Sequence, residues 1–143
     1  MIKNKKKKSS SSVKISIKRS RTGLGLFAME QIEKGSFIVE YTGKLISKAE
    51  EEKKNNARYL FEINSKKTLD GSPRSNIARY INHSCSPNAE PQIKKGKILI
   101  YARKKIKAGE EITYDYGREY WKEFIQPKGC LCAKCLKKSK LKK

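Results

Sequence analysis

The chain has 143 residues, of which 36% are hydrophobic and 34% charged, with a formal net charge of +21. That length holds one domain with a real core and excludes two comfortable ones. It contains no run of 18 apolar residues, and its N-terminal lysines lead into Ser and then alternating Val13, Ile15 and Ile17, so neither a membrane span nor an export signal is expected.

Residues 1–12 carry five Lys and residues 137–143 another five, with no acid in either stretch. These tails hold ten of the formal +21 charges, which leaves +11 on the body. Disordered polybasic tails on a basic domain point to an anionic partner, with nucleic acid or chromatin first. Tails that merely keep the chain solvated are the simpler alternative.

In chain order, VKISIK (13–18) alternates with period two and predicts a strand, and GLGLFA (23–28) follows with two glycines where backbone bends or approaches something closely. Gly23-Leu24-Gly25 lacks the third Gly and the strand-to-helix context of a dinucleotide fold, so by itself it reads as a turn. SFIVEYTGKLIS (36–47) is β-branched and apolar enough for strand. Ser47 with Glu50 matches a capping box and predicts a short charged helix over 48–57.

YLFEI (59–63) and TLDG (68–71) predict strands, and SNIARYIN (75–82) a short helix opening at Ser75 or Asn76. AEPQIKKGKILIYA (89–102) predicts a hairpin turning at Lys95-Gly96, EEITYDY (110–116) a strand, and EYWKEFI (119–125) a last helical turn or two. FAMEQIEKGSFI (27–38) echoes YARKKIKAGEEI (101–112) in its Ala, Ile, Gly and Ile positions, as one unit of strand end, Gly turn and new strand used twice would. Short strands, few helices and no βαβ rhythm predict a mainly β domain.

The chemistry-bearing residues cluster. Cys130, Cys132 and Cys135 put three thiolates within six residues, and tetrahedral zinc wants four ligands. Cys85 is the one cysteine left, so a four-thiolate site would tie the C-terminal segment to RYINHSCSPN (79–88); reduced surface thiols, or a site completed by His83, are the alternatives. His83 is the only histidine, and a lone His is more often structural than catalytic. Tyr41, Tyr59, Tyr80, Tyr114 and Tyr116 lie in or beside predicted elements, and buried phenols need partners: either polar networks or an aromatic slot for a cation, with plain core packing as the alternative.

Through GLGLFA (23–28), EYTGKLIS (40–47), YLFEI (59–63), RYINHSCSPN (79–88), GEEITYDYG (109–117) and CLCAKC (130–135), taken in this order, the chain resembles the SET-domain protein-lysine methyltransferases over roughly residues 13–136. The resemblance implies a SET (β-clip) fold of short sheets with few short helices, in which RYINHSC and ITYDYG cross as a C-terminal pseudo-knot. It implies a SET domain over 13–118, a post-SET zinc segment over 119–136, and polybasic tails at 1–12 and 137–143. Backbone around Gly23, Leu24 and Gly25 would meet the methionine part of S-adenosylmethionine. Asn82 and His83 would hold its amino and adenine parts, with Arg79 nearby and Trp121 packing close.

By the same resemblance, Tyr116 falls at the catalytic tyrosine, Tyr41 and Tyr59 line a lysine channel, and Cys85, Cys130, Cys132 and Cys135 hold one structural Zn2+. Tyr114 occupies a Phe-or-Tyr position whose hydroxyl favours mono- or dimethylation. Three features depart from the family: only two residues separate Cys132 from Cys135, where four are usual; no cysteine-rich pre-SET segment stands before residue 13; and Ser75 replaces a common Gly.

The implied substrate is a lysine of a histone or another basic, DNA-associated protein, with nucleic acid contact through the tails and no membrane. The implied location is intracellular: nucleus and chromatin in a eukaryote, cytoplasm or nucleoid in a bacterium. The rival readings are a basic zinc-containing nucleic-acid-binding module, which leaves RYINHSC with ITYDYG unexplained, and a SET-like binding domain without catalysis.

Overall fold

The computed structural model describes residues 13–21, 23–53 and 57–117. The described residues form a mainly β domain. In chain order its strands are β1 (Ile15–Ser20), β2 (Gly23–Ala28), β3 (Phe37–Tyr41), β4 (Lys44–Ser47), β5 (Leu60–Glu62), β6 (Lys67–Asp70), β7 (Asn82–His83), β8 (Ala89–Lys94), β9 (Lys97–Ala102) and β10 (Glu111–Tyr114). One helix, α1 (Lys48–Glu52), follows β4, and 3-10 turns precede β5 (Ala57–Tyr59) and β7 (Ile77–Tyr80). Among the described residues, no helix is long and apolar enough to cross a membrane.

Three small sheets arise, ordered β1-β2-β10-β7, β8-β9-β3 and β4-β6-β5. The first two are built alike. Hairpin β1/β2 sets Ile15 opposite Ala28, and hairpin β8/β9 sets Ala89 opposite Ala102. Each hairpin then takes the strand that follows the other: Phe27 of β2 faces Glu111 of β10, and Tyr101 of β9 faces Phe37 of β3.

The sequence echo is this exchange. Ile32 and Ile106 trade backbone hydrogen bonds at 2.8 and 2.9 Å, Gly35 N donates to Ala102 O at 2.8 Å, and Gly109 N donates to Ala28 O at 2.7 Å. The positions that repeat are therefore those that must be small, apolar or turning where the two units clasp. Ile32, Ile38, Ile106 and Ile112 are all at most 1% exposed, and burying each contributes roughly 1.5–3 kcal/mol before entropy is counted. Leu26, Val39, Ile98 and Ile100 fill the same core.

Several local expectations change under tertiary contacts. GLGLFA is continuous strand instead of a turn, because β1 pairs with it along its whole length. SFIVEYTGKLIS splits at Thr42-Gly43, since β3 joins β9 while β4 joins β6 in another sheet. The capping box forms, with Glu50 N donating to Ser47 Oγ and Ser47 N to Glu50 Oε1, both at 3.2 Å, but α1 ends at Glu52. The segment after Asn76 winds as a 3-10 turn over Ile77–Tyr80, and the last residue of the expected helix, Asn82, is instead in the two-residue strand with His83. Lys95 and Gly96 both take positive φ, which makes the expected hairpin turn type I′.

Candidate active site

The site grows from a parallel contact between two distant segments. Asn82 and His83 of β7 pair with Thr113 and Tyr114 of β10, and Ser84 N donates to Tyr114 O at 3.1 Å. This crossing is the pseudo-knot of the fold. Asn88 extends it with a side chain that mimics a neighbouring strand: its Nδ2 donates to Glu111 O at 2.8 Å, and its Oδ1 accepts from Thr113 N at 2.9 Å. Parallel pairing is less stable per residue than antiparallel, and a two-residue strand gives little of it, so Asn88 supplies much of the hold.

A run of rings leads away from the crossing. His83 and Tyr116 have centroids 5.4 Å apart, Tyr116 and Tyr114 5.1 Å, Tyr114 and Phe61 6.5 Å, and Phe61 and Tyr41 5.4 Å. The Tyr41 hydroxyl donates to Tyr59 O at 2.7 Å, and the Tyr116 hydroxyl donates to Ile81 O in a short hydrogen bond. The Arg79 guanidinium stacks over the Tyr59 ring at 4.2 Å and lies 5.3 Å from the Tyr80 ring centroid, while its Nε is buried with no hydrogen-bond partner among the described residues. Arg79 therefore lies beside a tyrosine of the expected lysine channel.

The backbone on either side of the Tyr41 ring is held by a residue that the sequence offers only as a helix start. Asn76 is 1% exposed; its Oδ1 accepts from Thr42 N and its Nδ2 donates to Gly71 O, both at 3.0 Å. The Tyr41 ring lies so close to Gly71 that a Cβ there would sit 2.3 Å from Tyr41 Cε1. Phe61 is a second addition to the expected set; its place on a predicted strand one residue beyond Leu60 was the available signal. Asn88, Glu111 and Ser20 join it for contacts that only the folded chain brings about.

His83 accepts the Tyr116 N–H at Nδ1 (3.1 Å), so the neutral ring carries its proton on Nε2, facing Cys85 Sγ at 3.4 Å. Burial lowers its pKa, and the Asp115 carboxylate pulls the other way. Burial prevails: Asp115 Oδ1 is 3.8 Å from a nitrogen already occupied by the backbone donor, and the carboxylate is well exposed to water. The contact is thus not an ion pair.

From β7, Asn82 sends its side-chain amide to groups on β1, β2 and β10. Its Nδ2 donates to Leu24 O at 3.0 Å and Glu111 Oε2 at 2.6 Å, with Ser20 Oγ at 3.3 Å. S-adenosylmethionine fits the residues present. An added Cβ at Gly23 meets nothing within 4 Å, Leu24 is 53% exposed beside it, and Asn82 Oδ1 is used by none of the described hydrogen bonds. Open space at Gly23, together with the Asn82 amide acceptor, suits a ligand bearing an ammonium group.

Cys85 is half-buried beside His83. Trp121 and the remaining cysteines expected at the metal, Cys130, Cys132 and Cys135, lie outside the described residues, as do both tails. Among the described residues, no group of three or more His, Cys, Asp or Glu could hold a metal ion.

A β-clip with a two-segment crossing and a run of aromatic rings beside it defines a class, and comparison with known proteins agrees. The SET domain family model matches residues 23–117, and the chain belongs to that family. It is 46% identical over 105 residues to "Histone-lysine N-methyltransferase, H3 lysine-4 specific" of Schizosaccharomyces pombe, covering 65% of this chain and 11% of that protein. It is 44% identical over 115 residues to histone-lysine N-methyltransferase set-2 of Caenorhabditis elegans, covering 71% of this chain and 8% of that one. Among solved structures, Polycomb Repressive Complex 2 of Chaetomium thermophilum bound to GSK126 matches with a TM-score of 0.67 and 35% identity, over 75% of this chain and 16% of that one. The same kind of complex bound to S-adenosylmethionine matches with a TM-score of 0.64 and 36% identity, over 75% and 15%. The chain thus spans only about a tenth of the length of these curated relatives.

Proposed function

We propose that the chain is a protein-lysine N-methyltransferase that uses S-adenosylmethionine and acts on a histone or another basic, DNA-associated protein. The observation that carries the reading is the β7/β10 crossing, which brings Asn82 and His83, the proposed cofactor residues, into register with Thr113 and Tyr114 and within ring contact of Tyr116. When bound, the cofactor supplies a sulfonium methyl open to in-line attack. Everything else falls to the protein.

Only a neutral amine can attack. With a reference pKa near 10.4, roughly one lysine in a thousand is neutral at physiological pH, a penalty of about 4 kcal/mol. A narrow channel of Tyr41, Tyr59, Phe61 and Tyr114 disfavours ammonium by excluding water. The Arg79 cation stacked on Tyr59 disfavours it further. Tyr116 acts by orientation: its hydroxyl donates to Ile81 O, which fixes the direction of the phenol, and its oxygen accepts from the amine and aims the nitrogen lone pair. No strong base is required, since the proton leaves to solvent.

Mono- or dimethylation is favoured because the Tyr114 hydroxyl takes room beside Tyr116. Cys85, with Cys130, Cys132 and Cys135, holds one structural Zn2+. The polybasic ends contact nucleic acid, and the work site is chromatin in the nucleus, in line with relatives named for histone H3 lysine 4. The test is incubation with labelled S-adenosylmethionine and core histones, with a no-substrate control. A labelled histone band is expected; cofactor binding with no label on any basic protein returns the chain to a binding role.

A further inference from the structure

The amide of Asn82 has two unlike ends, one donating and one accepting, and its neighbours decide which faces the cofactor. Leu24 O can only accept, at 3.0 Å from Nδ2. The Ser20 hydroxyl gives its proton to Gly23 O at 3.1 Å, so its oxygen also faces Asn82 as an acceptor, at 3.3 Å. The Glu111 carboxylate accepts at 2.6 Å, the shortest of the three bonds and the only one to a charged group. Together they pin Nδ2 on this side and leave Oδ1 for a donor.

Gly25 makes the Glu111 contact possible. A Cβ at that position would sit 2.4 Å from Glu111 Oε2 and 3.2 Å from Asn82 Nδ2. The second glycine of GLGLFA thus clears the path by which a carboxylate on β10 reaches an amide on β7.

We propose that Glu111 is a positioning residue for the cofactor: it orients Asn82 so that Oδ1 accepts from the α-ammonium of the methionine part, and it sets a negative charge beside that ammonium. The inference rests on the proposed S-adenosylmethionine site. It gives Glu111 a role distinct from the channel, because Glu111 acts only on ligands that carry the amino group.

That distinction supplies the test. The full chain, Glu111→Ala and Glu111→Gln are titrated by calorimetry with S-adenosylhomocysteine, which has the amino group, and with 5′-methylthioadenosine, which lacks it. Glu111→Ala is expected to weaken S-adenosylhomocysteine about tenfold or more, the scale of a lost charge-assisted contact, and to leave methylthioadenosine within about twofold. Glu111→Gln, which keeps the shape and one acceptor, is expected to fall between wild type and Glu111→Ala for the first ligand. Equal losses for both ligands, or a loss for neither, overturn the role of Glu111 while the site itself stands. Failure of the wild type to bind either ligand overturns the methyltransferase reading, and this inference with it.

Discussion

Tyr116 is tied to His83 and its neighbour Ile81 at both ends: its backbone N–H donates to His83 Nδ1 at 3.1 Å, and its hydroxyl donates to Ile81 O. The proposed catalytic phenol and the proposed cofactor segment therefore move as one body. Tyr116→Phe keeps the first tie and cuts the second. It is expected to lower kcat about a hundredfold or more through lost orientation, with cofactor affinity unchanged. The orphaned Ile81 carbonyl costs about 1 kcal/mol of stability. Single-turnover kinetics alongside a cofactor titration checks this, and near-normal turnover would remove Tyr116 from the mechanism.

The crossing itself depends on Asn88. Asn88→Ala strands Glu111 O and Thr113 N, two groups on an interior strand, and is expected to cost roughly 2–4 kcal/mol in urea unfolding. Asn88→Asp keeps the acceptor for Thr113 N but turns a carboxylate oxygen toward Glu111 O in a nearly buried site, so at neutral pH its loss should be at least as large and should shrink as the carboxyl is protonated. Equal stability of all three proteins would show that β7 and β10 hold without the bridge.

Much of the fold can be read from local patterns, and the reasons are physical. The period-two run before residue 19, the Ser47/Glu50 capping box and the Lys95-Gly96 turn are decided within a few residues of chain. The echo around Ile32 and Ile106 is visible because both copies answer the same packing demand. What escapes is settled across distance: Asn76 serves Thr42 from 34 residues away, and Asn88 serves Thr113 from 25. An asparagine in a polar stretch carries no mark of the strand it will patch. Likewise Gly25 looks like turn chemistry until Glu111 occupies the place of its missing side chain. The motif residues of the crossing were legible only as a family resemblance.

Acid lability should concentrate at α1. Glu51 has its pKa held below the ordinary value of 4.5, first by the Thr68 hydroxyl at 2.5 Å and then by Lys48, with burial opposing. A depressed carboxylate stabilises the fold above its unfolded pKa, and that contribution disappears as pH falls through the folded value. Thr68→Val, which keeps shape and removes the donor, is expected to flatten the acid limb of stability below about pH 5. Parallel limbs in urea titrations across pH 3 to 6 would remove Glu51 from the acid response.

Gly71→Ala probes the proposed channel wall without touching any proposed reacting group. The new methyl would collide with Tyr41 Cε1 at 2.3 Å and Asn76 Nδ2 at 2.6 Å, so the Tyr41 ring or the Asn76 amide must shift. The expected outcome is a raised KM for the lysine peptide, about tenfold for a misplaced channel wall, with cofactor affinity unaltered. A loss of cofactor binding instead would mean that the Asn76 staple supports the whole crossing.

Product state should turn on Tyr114. The residue is 5% exposed, and its ring lies 5.1 Å from the Tyr116 ring and 6.5 Å from the Phe61 ring, so it is packed among the aromatic side chains of the proposed channel. Each methyl added to the amine needs room there and removes an N–H that could bond to a phenol oxygen. Tyr114→Phe frees about the volume of one oxygen in a wall too closely packed to yield it otherwise. The expected shift is from mono- and dimethyl toward trimethyl product on the same peptide, with cofactor affinity retained and a stability change of about 1 kcal/mol for the lost hydroxyl. Mass spectra of the products at matched turnover read this directly. An unchanged product distribution would place the limit elsewhere in the channel, with Phe61 the next wall to open.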